Sequence, residues 1–231
     1  MADKILVTGK SGSGKTYSLG TLDPKTTFII CPDEKNPPFK GWRKNYIMEN
    51  SEGKFHPKDC NYYKTTKWEN IRNTLKFISE NRPDIKTVVL DTITYAMIGE
   101  FMDKAKTKGY DKFTEMGANV YQTLKMIDGL RSDLVVIVMA HTDTETFNGV
   151  DKSGFGVPGG KLVKDVVKPE GMFYITLETL VEKTGDNVDF YFMTQNNTTN
   201  MAKSPNGMFA ADKIPNDMKA VLEAIHKYEN G

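Results

Sequence analysis

Four short runs of apolar and β-branched residues stand out along the chain, each bounded by polar or turn-forming residues. They cover residues 5–7, 26–31, 87–90 and 134–140. Runs this short and this continuous predict strands that are buried on both faces of a sheet. Strands of that kind are typical of parallel sheets whose two faces are covered by helices.

Apolar residues at helical spacing separate or follow these runs. They predict helices over 15–22, 68–81, 93–106 and 214–228, and a further helix after Gly109 that includes 116–127. Residues 172–181 and 188–194 flank Gly185-Asp186, which predicts an antiparallel hairpin. The alternation predicts an α/β fold with a mostly parallel central sheet, flanked by helices and followed by an antiparallel C-terminal hairpin.

Two stretches lack a sustained period and predict irregular structure. Residues 33–66 contain scattered prolines and glycines, which predicts an insertion with a short hairpin around 42–48. Residues 142–161 are rich in glycine and predict a mobile loop. A chain of 231 residues can bury one good-sized core, so we expect a single domain over 1–231.

The most specific motif lies directly after the first predicted strand. It reads Gly9-Lys10-Ser11-Gly12-Ser13-Gly14-Lys15-Thr16, which satisfies G-x-x-x-x-G-K-[ST]. Glycines in such a loop let backbone N–H groups surround phosphates, and a following helix N-terminus adds a favourable partial charge. The motif predicts binding of ATP or GTP, with Lys15 at the β and γ phosphates and the Thr16 hydroxyl on Mg²⁺.

Asp91 directly follows the third predicted strand. An acid at this place is typical of a Walker B strand, whose carboxylate faces the magnesium ion. A capping role is the alternative, because many strands end in Asp before a helix. The P-loop upstream favours the first interpretation, in which Asp91 is a direct or indirect Mg²⁺ ligand.

Polar residues also follow the second and fourth predicted strands. Asp33 and Glu34 come just after residues 26–31, on the P-loop side of a parallel sheet. We expect Glu34 first, and Asp33 second, to polarise the attacking water, with an ordinary solvated pair as the alternative. His141 follows residues 134–140, where it could sense the γ-phosphate or serve as a cap.

The composition is evidence against several classes of function. Lys and Arg number 31 against 30 for Asp and Glu, so the chain lacks the strong positive charge of a histone-like nucleic-acid binder. Cys31 and Cys60 form neither a disulfide framework nor a zinc-ligand spacing, which fits a reducing cytoplasm. No apolar run is long enough for a signal peptide or a membrane span, and we expect no membrane partner.

Taken in order, residues 9–16, 88–92 and 136–141 make the chain resemble the RecA-like P-loop ATPases of bacteriophages, of the single-strand annealing and recombination type. These are related to the core of RecA and Rad-type recombinases. The resemblance implies a Mg²⁺-dependent ATPase that acts on single-stranded DNA in the host bacterial cytoplasm. It implies His141 as the γ-phosphate sensor, an acid after the second strand as the catalytic residue, and 142–161 as a DNA-binding loop. It also implies a single-strand-binding protein as a partner, and a homo-oligomeric ring or filament.

Basic residues around the predicted loop are candidate DNA contacts. They are Lys152, Lys161, Lys164 and Lys168, and the loop also holds Phe147 and Phe155. Cations beside aromatic rings are the mixture that binds single-stranded nucleic acid. A solvated basic loop is the alternative. By the resemblance, Lys203 is a further candidate for contacting a phosphate.

Two other functions fit a P-loop protein. A nucleotide or metabolite kinase shares the loop, but such kinases generally carry an arginine-rich lid, and the four arginines of this chain are scattered. A nucleotide-dependent switch that recruits another protein and hydrolyses ATP slowly is the second alternative.

Overall fold

The computed structural model describes residues 2–147, 149–156 and 167–231. In this part of the chain the strands are β1 (Asp3–Gly9), β2 (Thr27–Cys31), β3 (Tyr62–Lys64), β4 (Thr87–Leu90), β5 (Val135–Phe147), β6 (Val150–Phe155), β7 (Ile175–Thr184), β8 (Asn187–Met193) and β9 (Lys213–Pro215). The α-helices are α1 (Trp42–Asn45), α2 (Trp68–Asn81), α3 (Ile93–Asp103), α4 (Asp111–Ile127) and α5 (Met218–Asn230). Short 3₁₀ helices cover Thr16–Thr21 and Pro169–Met172. None of these described helices is long and apolar enough to cross a membrane.

The strands lie in one sheet, in the order β3-β2-β4-β5-β1-β7-β8-β9. The first six strands of this row run parallel to one another. Strand β8 runs antiparallel to both of its neighbours, β7 and β9. Strand β6 pairs only with the distal part of β5. The predicted α/β fold, with a mostly parallel sheet and an antiparallel C-terminal hairpin, is confirmed.

Both faces of the sheet are covered, and the side chains of the central strands alternate between them. In β1, Leu6 packs into the core that contains α2, α3 and α4. Ile5 and Val7 pack into the opposite core, with α5 and the Thr16–Thr21 helix. Strand β5 alternates in the same way. Because every position of such a strand is buried on one side or the other, its sequence is a continuous apolar run.

The observed ends of the helices and strands agree with the predicted ends at some elements and differ at others. Helix α2 and strand β4 have the predicted ends, and β7 and β8 form the predicted hairpin. The C-terminal helix is shorter than predicted, because Ile214 lies in β9 and α5 begins at Met218. Asp217 caps α5, since its Oδ1 accepts a hydrogen bond from the N–H of Ala220 at 3.0 Å.

Residues 142–147 and 150–155 pair as two antiparallel strands, where the sequence predicted a loop. Strand β5 continues past His141, and its distal part pairs with β6 from Thr142 opposite Phe155 onward. Threonines at every second position of β5 favour a strand, and Gly149, at a φ of 76°, suits the reversal. Residues 157–161 of the predicted loop lie outside the described residues, and its mobility stays a prediction.

The 33–66 segment contains two short elements, α1 and β3. The hairpin predicted around 42–48 is wrong, because a helix starts there after Gly41, whose φ is 80°. Trp42 in this helix is buried and packs against Tyr62 of β3, with ring centroids 6.0 Å apart. The segment therefore packs onto the sheet edge and supplies one wall of the cavity described below.

Candidate nucleotide-binding site

The 9–16 loop leaves the carboxyl end of β1 and enters the short helix Thr16–Thr21. Gly9 and Gly14 have positive φ angles of 151° and 94°. A β-carbon on Gly9 would lie 1.8 Å from Oγ1 of Thr179, and one on Gly14 would lie 2.7 Å from the ring of Phe190. Both positions therefore require glycine, for backbone conformation and for space.

Side-chain hydrogen bonds hold this loop against β7. Ser13 Oγ donates to the carbonyl of Lys10 at 2.6 Å and lies 2.5 Å from Oγ1 of Thr179. The Thr179 hydroxyl also lies 3.1 Å from the carbonyl of Thr8, at the end of β1. These contacts fix the loop between β1 and β7 without any ligand.

Backbone donors of the loop suit a phosphate group. The N–H groups of Gly12, Gly14 and Lys15 have no hydrogen-bond acceptor among the described residues. Unpaired N–H groups in a glycine-rich loop at a strand end form an anion-binding concavity. The residues present thus fit the phosphates of a nucleotide.

Lys15 is folded back into the loop. Its Nζ donates to the carbonyl oxygens of Gly9 and Lys10 at 2.7 and 2.8 Å. Burial lowers the pKa of this amine from 10.5 to about 8, against the opposing effect of the Asp91 carboxylate. A phosphate beside the amine would favour its charged form, so the lowered pKa makes an anionic ligand especially stabilising here.

Asp91 follows β4 and is buried. Its carboxylate accepts a hydrogen bond from the Thr92 hydroxyl at 2.9 Å, and the nearby Thr16 hydroxyl acts to lower the pKa of Asp91. Burial raises the pKa of Asp91 from 3.8 to about 6, and the neighbouring Asp33 adds to this rise. A carboxylate beside a threonine hydroxyl supplies the oxygen ligands that Mg²⁺ prefers. Thr16 and Asp91 therefore fit the ion that the sequence predicts.

His141 lies opposite Gly9 in the pairing of β1 with β5. Its Nδ1 is 3.3 Å from Nζ of Lys15, and its backbone N–H donates to Oγ1 of Thr94 at 3.0 Å. The ring of Tyr95 meets the imidazole edge-on, with centroids 5.7 Å apart. Burial, and then the positive charge of Lys15, lowers the pKa of His141. The lowered pKa favours the neutral imidazole, which can accept a hydrogen bond from Lys15.

The two acids after β2 lie in different surroundings. Asp33 lines the cavity beside the loop, whereas Glu34 is exposed and lies outside its lining. Glu34 has a left-handed backbone, with φ at 56°, in a turn closed by its N–H bonding to the carbonyl of Cys31 at 3.3 Å. The structure does not bring Glu34 to the site, and Asp33 replaces it as our candidate for polarising water.

One oxygen of the Asp33 carboxylate accepts hydrogen bonds, and the other lies near a lysine amine. Its Oδ1 accepts hydrogen bonds from the thiol of Cys31 at 2.9 Å and from the N–H of Lys35 at 3.0 Å. Its Oδ2 lies 3.6 Å from Nζ of Lys35. Burial, and then the nearby Asp33, raises the pKa of the Cys31 thiol far above its ordinary value, so this thiol stays protonated and remains a donor.

These groups share one cavity of about 330 Å³ at the carboxyl edge of the sheet. From the predicted site it brings together Ser11, Gly12, Ser13, Gly14, Lys15, Thr16, Asp91 and His141, with Asp33. Sequence reasoning missed further lining residues, namely Tyr17, Cys31, Lys35, Asn36, Pro37, Pro38, Tyr62, Thr92 and Phe190. The one usable signal was the closeness of Lys35 and the two prolines to Asp33, whereas Tyr62 and Phe190 arrive from distant positions.

Only part of the predicted DNA contact set lies in the described structure. Lys152 is exposed on β6, and Lys168 is exposed immediately before the Pro169–Met172 helix. Lys161 and Lys164 lie outside the described residues.

The predicted contacts also included the rings of Phe147 and Phe155, and Lys203 as a contact to a phosphate. Phe155 is 3% exposed and packs into the core, so it cannot stack on a base, because alternation along β6 turns its side chain inward. The side chain of Phe147 lies outside the described part of the chain. Lys203 is half-buried, and its Nζ donates to the carbonyl of Glu170 at 3.0 Å.

The sequence model of the AAA domain family matches residues 1–206, a range that includes the P-loop, Asp91 and His141. The chain belongs to the AAA domain family. This AAA domain is an ATP-binding P-loop NTPase with a RecA-like fold, and its family membership supports nucleotide hydrolysis. No curated protein matches the chain.

Several solved structures are similar to this AAA domain. A KaiC-like protein from the archaeon Pyrococcus horikoshii OT3 has 11% identity and a TM-score of 0.49, with 92% of this chain and 84% of that chain covered. The flagellar accessory protein FlaH of Methanocaldococcus jannaschii has 11% identity and a TM-score of 0.44, with coverages of 91% and 83%. The RadB recombinase has 16% identity and a TM-score of 0.46, with coverages of 83% and 87%. At these TM-scores, the similarities support no functional assignment.

Proposed function

We propose that this AAA domain hydrolyses ATP in the 330 Å³ cavity, with Mg²⁺ held by Thr16 and Asp91. The observation that carries the proposal is that Lys15, His141 and Asp33 converge with these two residues on one cavity. Bound Mg²⁺ would neutralise charge on the phosphate oxygens. The protein contributes positioning and fixed charges, which account for most of the catalysis of phosphoryl transfer.

In this proposal Asp33 polarises the attacking water. The water oxygen bonds to the γ-phosphorus, the bond from that phosphorus to the β–γ bridging oxygen breaks, and a water proton passes to the Asp33 carboxylate. ADP and inorganic phosphate are the products. Since Oδ1 already accepts hydrogen bonds from Cys31 and Lys35, Oδ2 is the oxygen that takes the proton. Lys15 places positive charge at the reacting phosphates.

His141 is proposed to connect the nucleotide to the β5–β6 hairpin. Its ring contacts Lys15, while its carbonyl accepts a hydrogen bond at 2.8 Å from the N–H of Gly156, just after β6. A phosphate at Lys15 would compete for the imidazole contact, and loss of the γ-phosphate would restore it. Such a change at the base of the hairpin can bias its position in each nucleotide state.

A second set of contacts connects the hairpin to the P-loop. Ser153 of β6 donates to Oε1 of Glu178 at 2.6 Å, and the N–H of Met201 donates to Oε2 at 2.8 Å. Glu178 directly precedes Thr179, whose hydroxyl touches Ser13 of the P-loop. The hairpin is therefore tied to the same strand that supports the loop.

The positions of the four arginines are evidence against a kinase. Arg72 bonds to Asn119 and Thr123, and Arg82 and Arg131 bond to neighbouring carboxylates and backbone carbonyls. Arg43 lies over the ring of Trp42, with 4.9 Å between its guanidinium carbon and the ring centroid. None of the four lines the cavity as the described residues form it, so none is placed to hold an acceptor phosphate.

For the partner we propose single-stranded DNA, as the RecA-like resemblance implies, with further copies of the chain assembling on it. Lys152, Lys161, Lys164 and Lys168 are the proposed contacts. A protein-recruiting switch is the second candidate, because the sequence of the hairpin has three acids, Asp143, Glu145 and Asp151, against the single Lys152. That balance suits a basic protein surface better than a phosphate backbone.

The test is steady-state ATP hydrolysis with and without single-stranded DNA, beside the Lys15→Ala variant. We expect a rate that Lys15→Ala abolishes and that single-stranded DNA increases. A Lys15-dependent rate that DNA leaves unchanged would favour the protein-recruiting switch. A rate that Lys15→Ala leaves unchanged would remove the cavity as the site of hydrolysis.

A further inference from the structure

The cavity contains a second lysine that the P-loop motif does not include. Lys35 follows the turn after β2, lines the cavity and lies 3.6 Å from Oδ2 of Asp33. It and Lys15 are the cations of the described cavity lining, which includes no arginine. Phosphoryl transfer spreads charge over the γ-phosphoryl oxygens, and some P-loop NTPases stabilise that charge with a cation beyond the P-loop lysine.

Weak contacts with Tyr95 position the Lys35 amine in this structure. Its Nζ donates to the hydroxyl of Tyr95 at 3.4 Å and lies 4.9 Å from the centroid of that ring. Tyr95 in turn meets the ring of His141 edge-on. The amine therefore contacts Asp33, which is proposed to polarise water, and it is connected through Tyr95 to His141, which is proposed to sense the γ-phosphate.

The charge of Lys35 reaches the other groups of the site. It contributes to lowering the pKa of Lys15, after the effects of burial and of Asp91, and the pKa of His141, after the effects of burial, of Lys15 and of the Gly9 backbone. An amine that acts on these two residues also acts on an anion between them. The Lys35 side chain is 60% exposed, so it is free to move toward a ligand at the cost of weak surface contacts.

We infer that Lys35 is a catalytic residue of this AAA domain, which stabilises the charge on the γ-phosphoryl group from within the same chain. This inference rests on the proposed hydrolysis in the cavity. The contact with Asp33 orients the amine before ATP binds, and the amine turns to the phosphate oxygens in the transition state.

The test compares Lys35→Met with Lys35→Arg and with the control Lys64→Met. Lys64 is a suitable control because its Nζ bonds to Asn36 beside the cavity, at 3.3 Å, without lining it. We expect Lys35→Met to lower kcat about 100-fold or more with little change in KM, as loss of a transition-state cation does. Lys35→Arg should restore much of the rate, and Lys64→Met should match the wild type.

A second readout uses ADP with aluminium fluoride, which imitates the transferring phosphoryl group. Lys35→Met should bind ADP normally and lose the complex with aluminium fluoride. Equal kcat values for Lys35→Met and Lys64→Met, in a wild type that hydrolyses ATP, would overturn the inference and leave the proposed function intact. Weakened ADP binding with unchanged kcat would also overturn it. If the wild type shows no Lys15-dependent hydrolysis, both the proposed function and the role inferred for Lys35 are wrong.

Discussion

The amine of Lys15 lies 3.3 Å from Nδ1 of His141, although 126 positions separate the two residues in the sequence. The pairing of β1 with β5 produces this contact, because Gly9 at the start of the P-loop lies opposite His141. The neutral imidazole is an acceptor for the Lys15 amine, and a phosphate would be a stronger one. We therefore propose that binding of ATP exchanges this contact inside the protein for one with the γ-phosphate, which would make His141 a sensor.

The turn after β2 allows a matched pair of variants. Asp33→Asn should lower kcat by about two orders of magnitude, because it removes the carboxylate proposed to take the proton. Glu34→Gln should leave kcat close to that of the wild type, since Glu34 is exposed outside the cavity lining. Steady-state kinetics of both variants check the assignment, and the reverse ranking would return the role to Glu34.

The lowered pKa of Lys15 predicts a pH dependence of ATP binding. Its folded-state pKa of about 8 lies below the ordinary 10.5, so the amine loses its charge as pH rises through 8. ATP affinity should then fall as pH rises from 8 to 10, with a slope approaching about tenfold per unit. Titration calorimetry measures this dependence. In Lys15→Arg, whose guanidinium stays charged, affinity should vary less with pH; an equally steep fall there would assign the titration to another group.

The raised pKa of Asp91 predicts that this residue destabilises the ligand-free fold at neutral pH. Its folded pKa of about 6 exceeds the ordinary 3.8, so its contribution to stability is present below pH 4 and is lost as pH rises through 6. Asp91→Asn should raise the free energy of unfolding at pH 8 by about 3 kcal/mol, and the gain should shrink at pH 5. The same variant should lose Mg²⁺-dependent hydrolysis.

Denaturant unfolding at the two pH values, in chelator and without nucleotide, measures this effect. Equal gains at pH 5 and pH 8 would show that the substitution acts through packing or hydrogen bonding rather than charge. A variant less stable than the wild type at pH 8 would contradict the prediction.

The proposed DNA contacts are tested by charge removal. Affinity for single-stranded DNA should decrease steeply with salt, and Lys161→Ala with Lys164→Ala should weaken it further and reduce the salt slope. Fluorescence anisotropy at several salt concentrations gives both quantities. The control pair Lys76→Ala with Lys125→Ala removes the same charge from exposed sites on α2 and α4 and should bind like the wild type. Identical binding by the two double variants would exclude the first pair from the DNA site.

Much of the site could be predicted because its parts are local in sequence or lie at strand ends. The P-loop is one continuous motif, and Asp91 and His141 each follow a run that is apolar because both faces of its strand are buried. In a parallel sheet, such strand ends must meet at one edge. The strand-helix-strand order was enough to bring these residues together.

The other features of the site could not be predicted from the sequence, because they depend on side-chain direction and on long-range packing. The left-handed backbone of Glu34 decides which of two adjacent acids faces the nucleotide, and no periodic pattern reports that turn. The burial of Phe155 depends on the pairing of β5 with β6, which places the last residue of β6 against the core. Tyr62 and Phe190 reach the cavity from positions that the tertiary fold alone brings near the P-loop.

The most direct test of the central claim is the ATP hydrolysis rate of the wild type and of Lys15→Ala, each with Mg²⁺ and with chelator. If the cavity of Lys15, Asp91, Asp33 and His141 is the active site, the wild type hydrolyses ATP only with Mg²⁺, and Lys15→Ala does so under neither condition. A folded wild type without such activity, or a Lys15→Ala variant that retains it, would contradict the account.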